Sequence, residues 1–236
     1  MKIKAVLFDL DGTLLPLDQD GFVKEYLKGL VSWMVGLGYG KEIAAAAITS
    51  GTAAALKNDG ARSNEEAFFE AFSRVIDNGV TADGKMFEGF YVSEFEKVRE
   101  AVCGFQPRFK DLIALIKSKG LRVAVATNPV FPKVATEARI RWAGLDASEF
   151  ELYTTYEDSH YCKPTAEYYN EVLARMSLSP EDCLMVGNDV DDDMPAGKLG
   201  MRTFLLTDCL LNRQNKDISV YEQGGIEALF ELINNL

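Results

Sequence analysis

The sequence predicts an α/β protein, a Rossmann-like doubly wound parallel sheet with a helical unit inserted after its first strand. Three observations lead to this prediction. A short run of branched and aromatic residues, Ile3 to Phe8, ends abruptly at Asp9 and is typical of a buried strand. From about residue 19 to 102 the periodicity is helical, and from about 107 to 206 helices and strands alternate. Alternation of that kind predicts a parallel sheet with helices on both faces, to which the first strand also belongs.

We therefore expect two structural units. An α/β core comprises residues 1–16 and 105–236, and a helical unit comprises residues 17–104. The clearest helix of the inserted unit begins with a capping box, Ser63 to Glu66, and its apolar face continues until Asn78-Gly79 ends the pattern. Further helices of this unit are expected near 21–36, 40–57 and 85–102.

The elements of the core are predicted from the spacing of apolar residues in helices and from short branched runs in strands. Residues 207–224 are polar and predict irregular surface chain. The expected order begins with a helix, a strand at 122–127, a helix around 131–143 and a strand at 150–155, and continues with a helix, a strand at 183–186, and a further helix and strand that end at Leu206. The inward residues of the first of these helices are Phe109, Leu112, Ile113 and Ile116, and those of the helix before the strand at 183–186 are Tyr169, Val172, Leu173 and Met176.

Composition excludes several classes of protein. Of 236 residues, 47% are apolar and 26% are charged, as in an ordinary soluble globular protein. The formal net charge of −11 disfavours nucleic acid and anionic membrane surfaces as partners. The longest unbroken apolar run, Ile43 to Ile48, has six residues, far short of the roughly 20 that a membrane span needs. Four scattered cysteines, without a CxxC pair or a preceding signal pattern, predict reduced thiols and a cytoplasmic location.

Four polar clusters lie at the ends of predicted strands or in the loop before a helix. Ligands bind at the carboxyl edge of a doubly wound sheet, so we expect these clusters to meet there. The clusters are Asp9 with Asp11, Thr127-Asn128, Lys163-Pro164, and the run from Gly187 through Asn188 to Asp193.

The chemistry of these clusters indicates phosphoryl binding around a divalent cation. Asp9 and Asp11 are two residues apart in extended chain, so both carboxylates project to the same side. Their repulsion, together with the acidic run at 189–193, predicts a hard cation, and an all-oxygen ligand set suits Mg²⁺. Lys163 supplies a point charge and Thr127 a hydroxyl donor for phosphate oxygens. A carboxylate nucleophile would then lie beside a bound phosphoryl group.

These motifs resemble those of the haloacid dehalogenase superfamily of hydrolases, in particular the phosphoglycolate-phosphatase-like members with a helical cap inserted after the first strand. The resemblance covers about residues 3 to 206 and implies a Mg²⁺-dependent phosphatase that hydrolyses a small phosphomonoester. The motif Asp9-Leu10-Asp11-Gly12-Thr13 is similar to the first motif of that family, Thr127 to the second, Lys163 to the third, and Gly187-Asn188 with Asp193 to the fourth.

The resemblance also implies a role for each residue. Asp9 attacks phosphorus and forms an aspartyl-phosphate, while Asp11 protonates the leaving oxygen and then activates water. Thr127, Asn128 and Lys163 bind phosphoryl oxygens. Mg²⁺ is held by the Asp9 carboxylate, the Asp11 backbone carbonyl and a side chain of the fourth motif.

The fourth motif departs from the common pattern. Many relatives have Gly-Asp where this chain has Gly187-Asn188, so the metal ligand becomes an amide oxygen or the adjacent Asp189. We expect Asn188 to bind the metal directly, Asp193 to lie just outside the ligand set, and Asp189 to be the competitor. For Asp191 and Asp192 we expect only the ordinary role of acidic residues at a helix N-terminus.

Other functions fit parts of this pattern. A phosphosugar mutase similar to beta-phosphoglucomutase uses the same aspartyl-phosphate, and the core motifs do not separate it from a phosphatase. A dehalogenase attacks carbon and needs no acid for an oxygen leaving group, so Asp11 argues against it. A phosphorylation-controlled signalling module also combines acidic residues, Thr and Lys, but receiver domains are about half as long and carry no inserted helices. A binding module without catalysis is the remaining alternative.

The expected substrate is a small phosphorylated metabolite, chosen by the helical unit and by the loops that face the sheet edge. Lys57 and Arg62 are candidates for contacting it, although exposed surface charge is the commoner role of such residues. We expect the helical unit to open about its two connections, near 16–20 and 103–107, and to exclude water when closed. The expected oligomeric state is a monomer or a homodimer.

Overall fold

The computed structural model describes residues 2–76, 82–102, 104 and 106–236. In these residues the predicted α/β architecture is confirmed, because six parallel strands form one sheet in the order β3-β2-β1-β4-β5-β6. The first strand of the chain therefore lies inside the sheet, between two strands that come much later in the sequence. The strands are β1 (Ala5–Phe8), β2 (Arg122–Val125), β3 (Leu152–Tyr153), β4 (Cys183–Gly187), β5 (Arg202–Leu206) and β6 (Glu222–Gly224).

Nine α-helices lie in the described part of the chain. Five of them follow β1 directly and are called the inserted helices below. The remaining four belong to the alternating part of the sequence. The inserted helices are α1 (Gln19–Gly36), α2 (Lys41–Leu56), α3 (Asn64–Ile76), α4 (Glu88–Ser93) and α5 (Phe95–Val102); the others are α6 (Arg108–Ser118), α7 (Lys133–Trp142), α8 (Ala166–Met176) and α9 (Ile226–Asn234).

Strand β1 is fully buried on both faces of the sheet. Successive side chains of a strand point to opposite faces. Val6 and Phe8 therefore pack into the core cluster that contains α6 and α9, whereas Ala5 and Leu7 pack against α8. This two-sided burial explains the unbroken apolar run at the start of the sequence.

The register of the central strands brings their carboxyl ends to one level. Phe8 pairs with Val125 on one side and with Val186 on the other. Asp9 is thus the first residue beyond the sheet in the middle of this edge, where the loops after β2 and β4 also begin.

An aromatic cluster joins the inserted helices to the core. The ring of Tyr26 on α1 lies 6.0 Å from that of Phe90, 5.8 Å from that of Phe95 and 5.0 Å from that of Phe131, which precedes α7. Aromatic pairs at such distances contribute beyond the area that they bury. The inserted helices therefore pack directly over the carboxyl edge of the sheet.

The prediction of a single helix at 85–102 is wrong. The structure has a 3₁₀ turn at Gly84–Phe87, then α4, a break at Glu94, and α5. Phe90 and Phe95 are five residues apart and would diverge on a continuous α-helix, where neighbours on one face are three or four residues apart. The break lets both rings contact Tyr26.

The capping box predicted at the start of α3 is confirmed. The Ser63 N–H donates to Glu66 Oε2 at 2.9 Å, and the Glu66 N–H donates to Ser63 Oγ at 3.1 Å. The predicted stop at Asn78-Gly79 lies outside the described residues, as do Cys103 and Phe105 in the second connection.

The prediction of irregular chain at 207–224 is wrong at its end. Glu222–Gly224 forms the edge strand β6, which pairs with β5. This polar segment has no alternation in hydropathy from which a strand could be predicted. The strand is instead held by backbone hydrogen bonds to β5 at the sheet margin. The helix expected before β5 is a 3₁₀ helix, Met194–Leu199, with Pro195 in its first turn.

None of the helices in the described ranges combines the length and the apolar character that a membrane span requires.

Candidate active site

The structure brings the four predicted clusters together at the carboxyl edge of the sheet. Asp9 follows β1, Thr127 lies just beyond β2, Lys163 comes from the loop between β3 and α8, and Asn188 follows β4. These residues, with Asp11, Asn128, Asp189 and Asp193, line one cavity below the inserted helices.

Lys163 is the electrostatic centre of the cluster. Its Nζ donates to Asp9 Oδ1 at 2.8 Å and to Asp193 Oδ1 at 2.6 Å, and its side chain is 1% exposed. Burial alone would lower the pKa of Lys163, but the carboxylates of Asp193 and Asp9 outweigh burial and raise that pKa well above its ordinary value. The ammonium therefore stays charged between the two acids.

Asp193 is anchored rather than free. Its Oδ2 accepts the Asp189 N–H at 3.0 Å, and its Oδ1 accepts from Lys163. Burial raises the pKa of Asp193, although Lys163 opposes the shift. Gly187 makes this packing possible, because a Cβ at that position would overlap the Asp193 carboxylate.

Asp11 is held by an arginine that sequence analysis missed. Arg139 on α7 forms an ion pair with Asp11 Oδ2, and the arginine side chain is fully buried. Burial raises the pKa of the Asp11 carboxyl, while Arg139 acts in the opposite direction. Asp11 Oδ1 is buried without a hydrogen-bond partner among the described residues.

A signal for Arg139 was present in the sequence. Arg139 lies four residues after Ala135 and three before Trp142, and all three side chains are on the buried face of α7. An arginine on an apolar helix face is almost never buried unpaired. That position could therefore have predicted an acidic partner from another part of the chain.

Gly12 and Asn188 fit against each other across the site. Gly12 has φ +86°, a conformation that favours glycine, and a Cβ there would overlap the Asn188 amide. Asn188 Nδ2 donates to the Cys209 carbonyl at 2.7 Å, and Asn188 Oδ1 accepts from Thr13 Oγ1 at 3.0 Å. The amide oxygen is thus turned toward the loop that carries Asp9 and Asp11.

Asp189, the predicted competitor, is engaged in its own loop. Its Oδ1 accepts the N–H groups of Asp191 at 2.7 Å and Asp192 at 3.1 Å, and its Oδ2 lies 3.5 Å from Arg213. Asp191 forms an ion pair with Lys216 and lies in the turn before the 3₁₀ helix Met194–Leu199, not at the start of an α-helix as expected. Asp192 lines the cavity as well.

Thr127 and Asn128 lie beside the carboxylates. Thr127 is 3% exposed, and its carbonyl accepts from Thr154 Oγ1 at 2.6 Å and from the Tyr168 hydroxyl at 2.8 Å. These two hydrogen bonds fix the backbone at the end of β2. Asn128 Nδ2 donates to Asp192 Oδ2 at 3.4 Å, while its Oδ1 is buried with no partner in the described chain.

The donor set suits a hard divalent cation. Five aspartates line the cavity, whereas Lys163 is the one cationic side chain among the described lining residues. Asp11 Oδ1 is buried and has no hydrogen-bond partner in the described chain. In the ranges described, no three Asp, Glu, His or Cys side chains are grouped so that they could hold a metal alone. A ligand set here would therefore include an amide or backbone oxygen, which agrees with an amide at position 188.

The cavity extends from the aspartates up to the inserted helices. Its volume is about 430 Å³, within the range of small-molecule sites. Its floor is formed by the polar loops of the sheet edge, and its walls by α1, α2, α3 and the segment before α7. A ligand bound at the aspartates would thus be covered by the inserted helices.

A curated phosphatase resembles this chain over nearly its whole length. A glyceraldehyde 3-phosphate phosphatase from Methanothermobacter thermautotrophicus is 26% identical over 228 residues, which cover 96% of this chain and 94% of the relative.

Two solved structures share the fold. YfnB from Bacillus subtilis, a HAD-hydrolase bound to magnesium, has a TM-score of 0.56 and 23% identity, with 99% of this chain and 100% of that chain covered. The L-2-haloacid dehalogenase RSc1362 has a TM-score of 0.59 and 14% identity, with 99% and 100% covered.

The family model for haloacid dehalogenase-like hydrolases matches residues 3–200, which include all four motifs and the inserted helices. On this match, the chain belongs to the family of haloacid dehalogenase-like hydrolases.

Proposed function

We propose that this protein is a Mg²⁺-dependent phosphatase that hydrolyses a small phosphomonoester through an aspartyl-phosphate at Asp9. The observation that carries the proposal is the paired placement of two aspartates at the floor of one covered cavity. Asp9 is bound to Lys163, and Asp11 is bound to Arg139. A second aspartate serves no purpose in attack on a carbon–halogen bond, but it does serve an oxygen leaving group.

Asp9 would attack phosphorus. Lys163 holds its Oδ1, which leaves Oδ2 for the new bond to phosphorus. The same ammonium would attract the phosphoryl oxygens and draw the dianion onto the carboxylate. The P–O bond to the alcohol breaks as the Asp9–phosphorus bond forms, and water then releases inorganic phosphate.

Asp11 would move the protons of both steps. Arg139 fixes Oδ2, so the unpartnered Oδ1 is available to give a proton to the departing alcohol. The same oxygen would then accept a proton from the attacking water. Thr127 and Asn128 line the same cavity and would bind phosphoryl oxygens during both steps.

A metal would be held by the Asp9 carboxylate, the Asp11 backbone carbonyl and Asn188 Oδ1, with Asp193 and Lys163 beside them. Mg²⁺ in that position would neutralise negative charge on the phosphoryl group and on the carboxylates. Asn188 is favoured over Asp189 because its oxygen is turned toward the Asp9 loop, whereas Asp189 caps the following turn.

The proposed domain division follows from the same arrangement. Residues 17–104 would form a cap, and residues 1–16 and 105–236 the catalytic core. The cap covers the aspartates and would open about its two connections to admit substrate and exclude water during attack. The relative that is named for its action on glyceraldehyde 3-phosphate supports a small phosphorylated metabolite as substrate.

Release of inorganic phosphate from p-nitrophenyl phosphate tests this function. Wild type should turn over with Mg²⁺ and stop when the metal is chelated, and Asp9→Asn should lose roughly 10⁴-fold or more in kcat. Asp191→Asn removes a charge from the same acidic run outside the proposed machinery and should behave like wild type. Equal activity of wild type and Asp9→Asn would refute the proposal.

A further inference from the structure

The cavity separates charge from apolar surface. Its charged lining residues all come from loops at the sheet edge and lie at its floor. They are Asp9, Asp11, Lys163, Asp189, Asp192 and Asp193. The phosphoryl group is bound at this end, so the rest of the substrate must occupy the upper part.

The upper part is almost entirely apolar. Val23, Leu27 and Leu30 of α1 line one side, and Ile48 and Leu56 of α2 line another, with phenylalanines between them. The polar groups of this wall are uncharged. They are the amide of Gln19, the hydroxyls of Thr49 and Thr52, and tyrosine hydroxyls.

The tyrosines do not add charge to the wall. The hydroxyls of Tyr26 and Tyr91 are bonded to each other at 2.7 Å. Burial raises the pKa of Tyr26 to about 12 and raises that of Tyr91 as well. Both phenols therefore stay neutral.

The arginines described near the cavity already form ion pairs within the protein. Arg139 is fully buried and paired with Asp11, and Arg213 lies against Asp20 and Asp189. Lys57 and Arg62, the candidates for contacting substrate, do not line the cavity. Arg62 is instead paired with Glu70 on the surface. A second anionic group on the substrate would find no partner among the described lining residues.

Resting on the phosphatase function above, we propose that the substrate is the monophosphate ester of an uncharged, largely apolar alcohol. Such a group is stabilised when the wall removes its apolar surface from water. A phosphorylated carboxylic acid or a bisphosphate would instead bury an unpaired charge against this uncharged wall. A sugar phosphate would lose the water molecules bound to its several hydroxyls, and the wall offers few polar groups to replace them.

Straight-chain alkyl phosphates test the proposal, because their leaving groups have nearly equal acidity and differ only in apolar length. We expect kcat/KM to rise about threefold for each added methylene from ethyl through butyl to hexyl phosphate. Phosphoglycolate, in which a carboxylate replaces the methyl group of ethyl phosphate, should be poorer than ethyl phosphate. Glyceraldehyde 3-phosphate should be poorer than hexyl phosphate.

A charge placed on the wall should alter this order. Leu56 lines the cavity and is 44% exposed, so Leu56→Lys is expected to fold. This variant should lose activity toward hexyl phosphate and narrow the preference for ethyl phosphate over phosphoglycolate by about fivefold. Ile43→Lys is the matched control, since Ile43 is a 48% exposed residue of the same helix outside the cavity lining, and it should leave both ratios unchanged.

Failure of this inference differs from failure of the proposed function. A flat or falling series, or phosphoglycolate or glyceraldehyde 3-phosphate as the better substrate, would overturn the inference while the enzyme remains a phosphatase. If no ester is hydrolysed, the proposed function fails. Calorimetry with ethylphosphonate and hexylphosphonate then tests whether the upper part of the cavity binds an apolar group. Equal Kd values overturn that inference, and tighter binding of hexylphosphonate supports it.

Discussion

Arg139 holds Asp11 from behind the cavity wall. The guanidinium is paired with Asp11 Oδ2 and lies 4.0 Å from the centroid of the Phe131 ring, which itself lines the cavity. Further hydrogen bonds to the Ala135 carbonyl and to Thr136 Oγ1, both 3.3 Å, fix the arginine on its own helix. Arg139 is not part of the cavity lining, so we expect it to orient the proposed acid without contacting substrate.

Replacing Arg139 should cost both stability and turnover. Arg139→Met leaves the Asp11 carboxyl without its charged partner, and breaking a buried ion pair typically costs about 3–5 kcal/mol of the free energy of unfolding. We expect urea denaturation to show a loss near the lower limit of that range, because Asp11 is partly exposed. For turnover, we expect kcat to fall more than KM rises, since the orientation of the acid is lost rather than the binding surface.

Two comparisons separate the ion pair from simple packing. Arg141→Met changes an exposed arginine of the same helix and should shift the free energy of unfolding by less than about 0.5 kcal/mol. The double variant Arg139→Met/Asp11→Asn should be less destabilised than the sum of its single variants. Strict additivity would show that the two side chains are not coupled.

The amide at position 188 should control metal affinity. Asn188→Leu removes the proposed oxygen ligand and is expected to weaken Mg²⁺ binding by at least about tenfold, whereas Asn188→Asp should retain or tighten it. Isothermal titration with Mg²⁺, or electron paramagnetic resonance with Mn²⁺, measures this directly in the absence of substrate.

Asp189→Asn is the matched comparison in the same loop. Because the Asp189 side chain caps the next turn, its amide variant should bind metal almost as wild type does. Loss of metal binding in Asp189→Asn together with retention in Asn188→Leu would reverse the assignment.

The thiol of Cys162 should report on cap opening. Its Sγ donates to the Ala55 carbonyl of α2 at 3.4 Å, and burial raises the pKa of this thiol to about 12. At pH 8 the closed form then holds only about 10⁻⁴ of the group as thiolate, which is the reactive form. We expect very slow alkylation by iodoacetamide that accelerates as pH rises toward 12, and faster modification of the less buried Cys209. Peptide mass spectrometry distinguishes the sites.

Loosening the contact between the inserted helices and the core should expose that thiol. Asn64 at the start of α3 is fully buried, and its Nδ2 donates to the Pro129 carbonyl at 3.1 Å, to the Tyr161 carbonyl at 3.3 Å and to Cys162 Sγ itself at 3.5 Å. Asn64→Ala should therefore increase Cys162 labelling by about tenfold at constant pH. Orthovanadate with Mg²⁺ should slow labelling of wild type. Identical rates in all three samples would count against opening.

The sheet and the site clusters were predictable because both depend on local patterns. A short buried run such as Ile3 to Phe8, rich in branched and aromatic residues, is typical of a strand covered on both faces, and the polar residues that follow parallel strands share one edge of the sheet. Spacing and residue type therefore predicted that Asp9 and Asn188 would lie at the same edge of the sheet, and both line the cavity there.

What escaped prediction depends on contacts between distant segments. The break at Glu94 lets Phe90 and Phe95 both pack against Tyr26. Tyr26 is distant in sequence, so the local periodicity of apolar residues does not predict this break. Strand β6 depends on backbone pairing at the sheet margin. Arg139 required knowing which face of α7 is buried and that Asp11 lies opposite.

The most direct test of the central claim is to trap the phosphorylated aspartate during turnover. Enzyme mixed with Mg²⁺ and a phosphomonoester is quenched in acid, reduced with borohydride and analysed by peptide mass spectrometry, since reduction of an aspartyl-phosphate leaves homoserine in its place. The account predicts homoserine at position 9 in wild type and none in a sample without substrate. Steady hydrolysis with no homoserine at position 9, or with homoserine at position 11 instead, would contradict it.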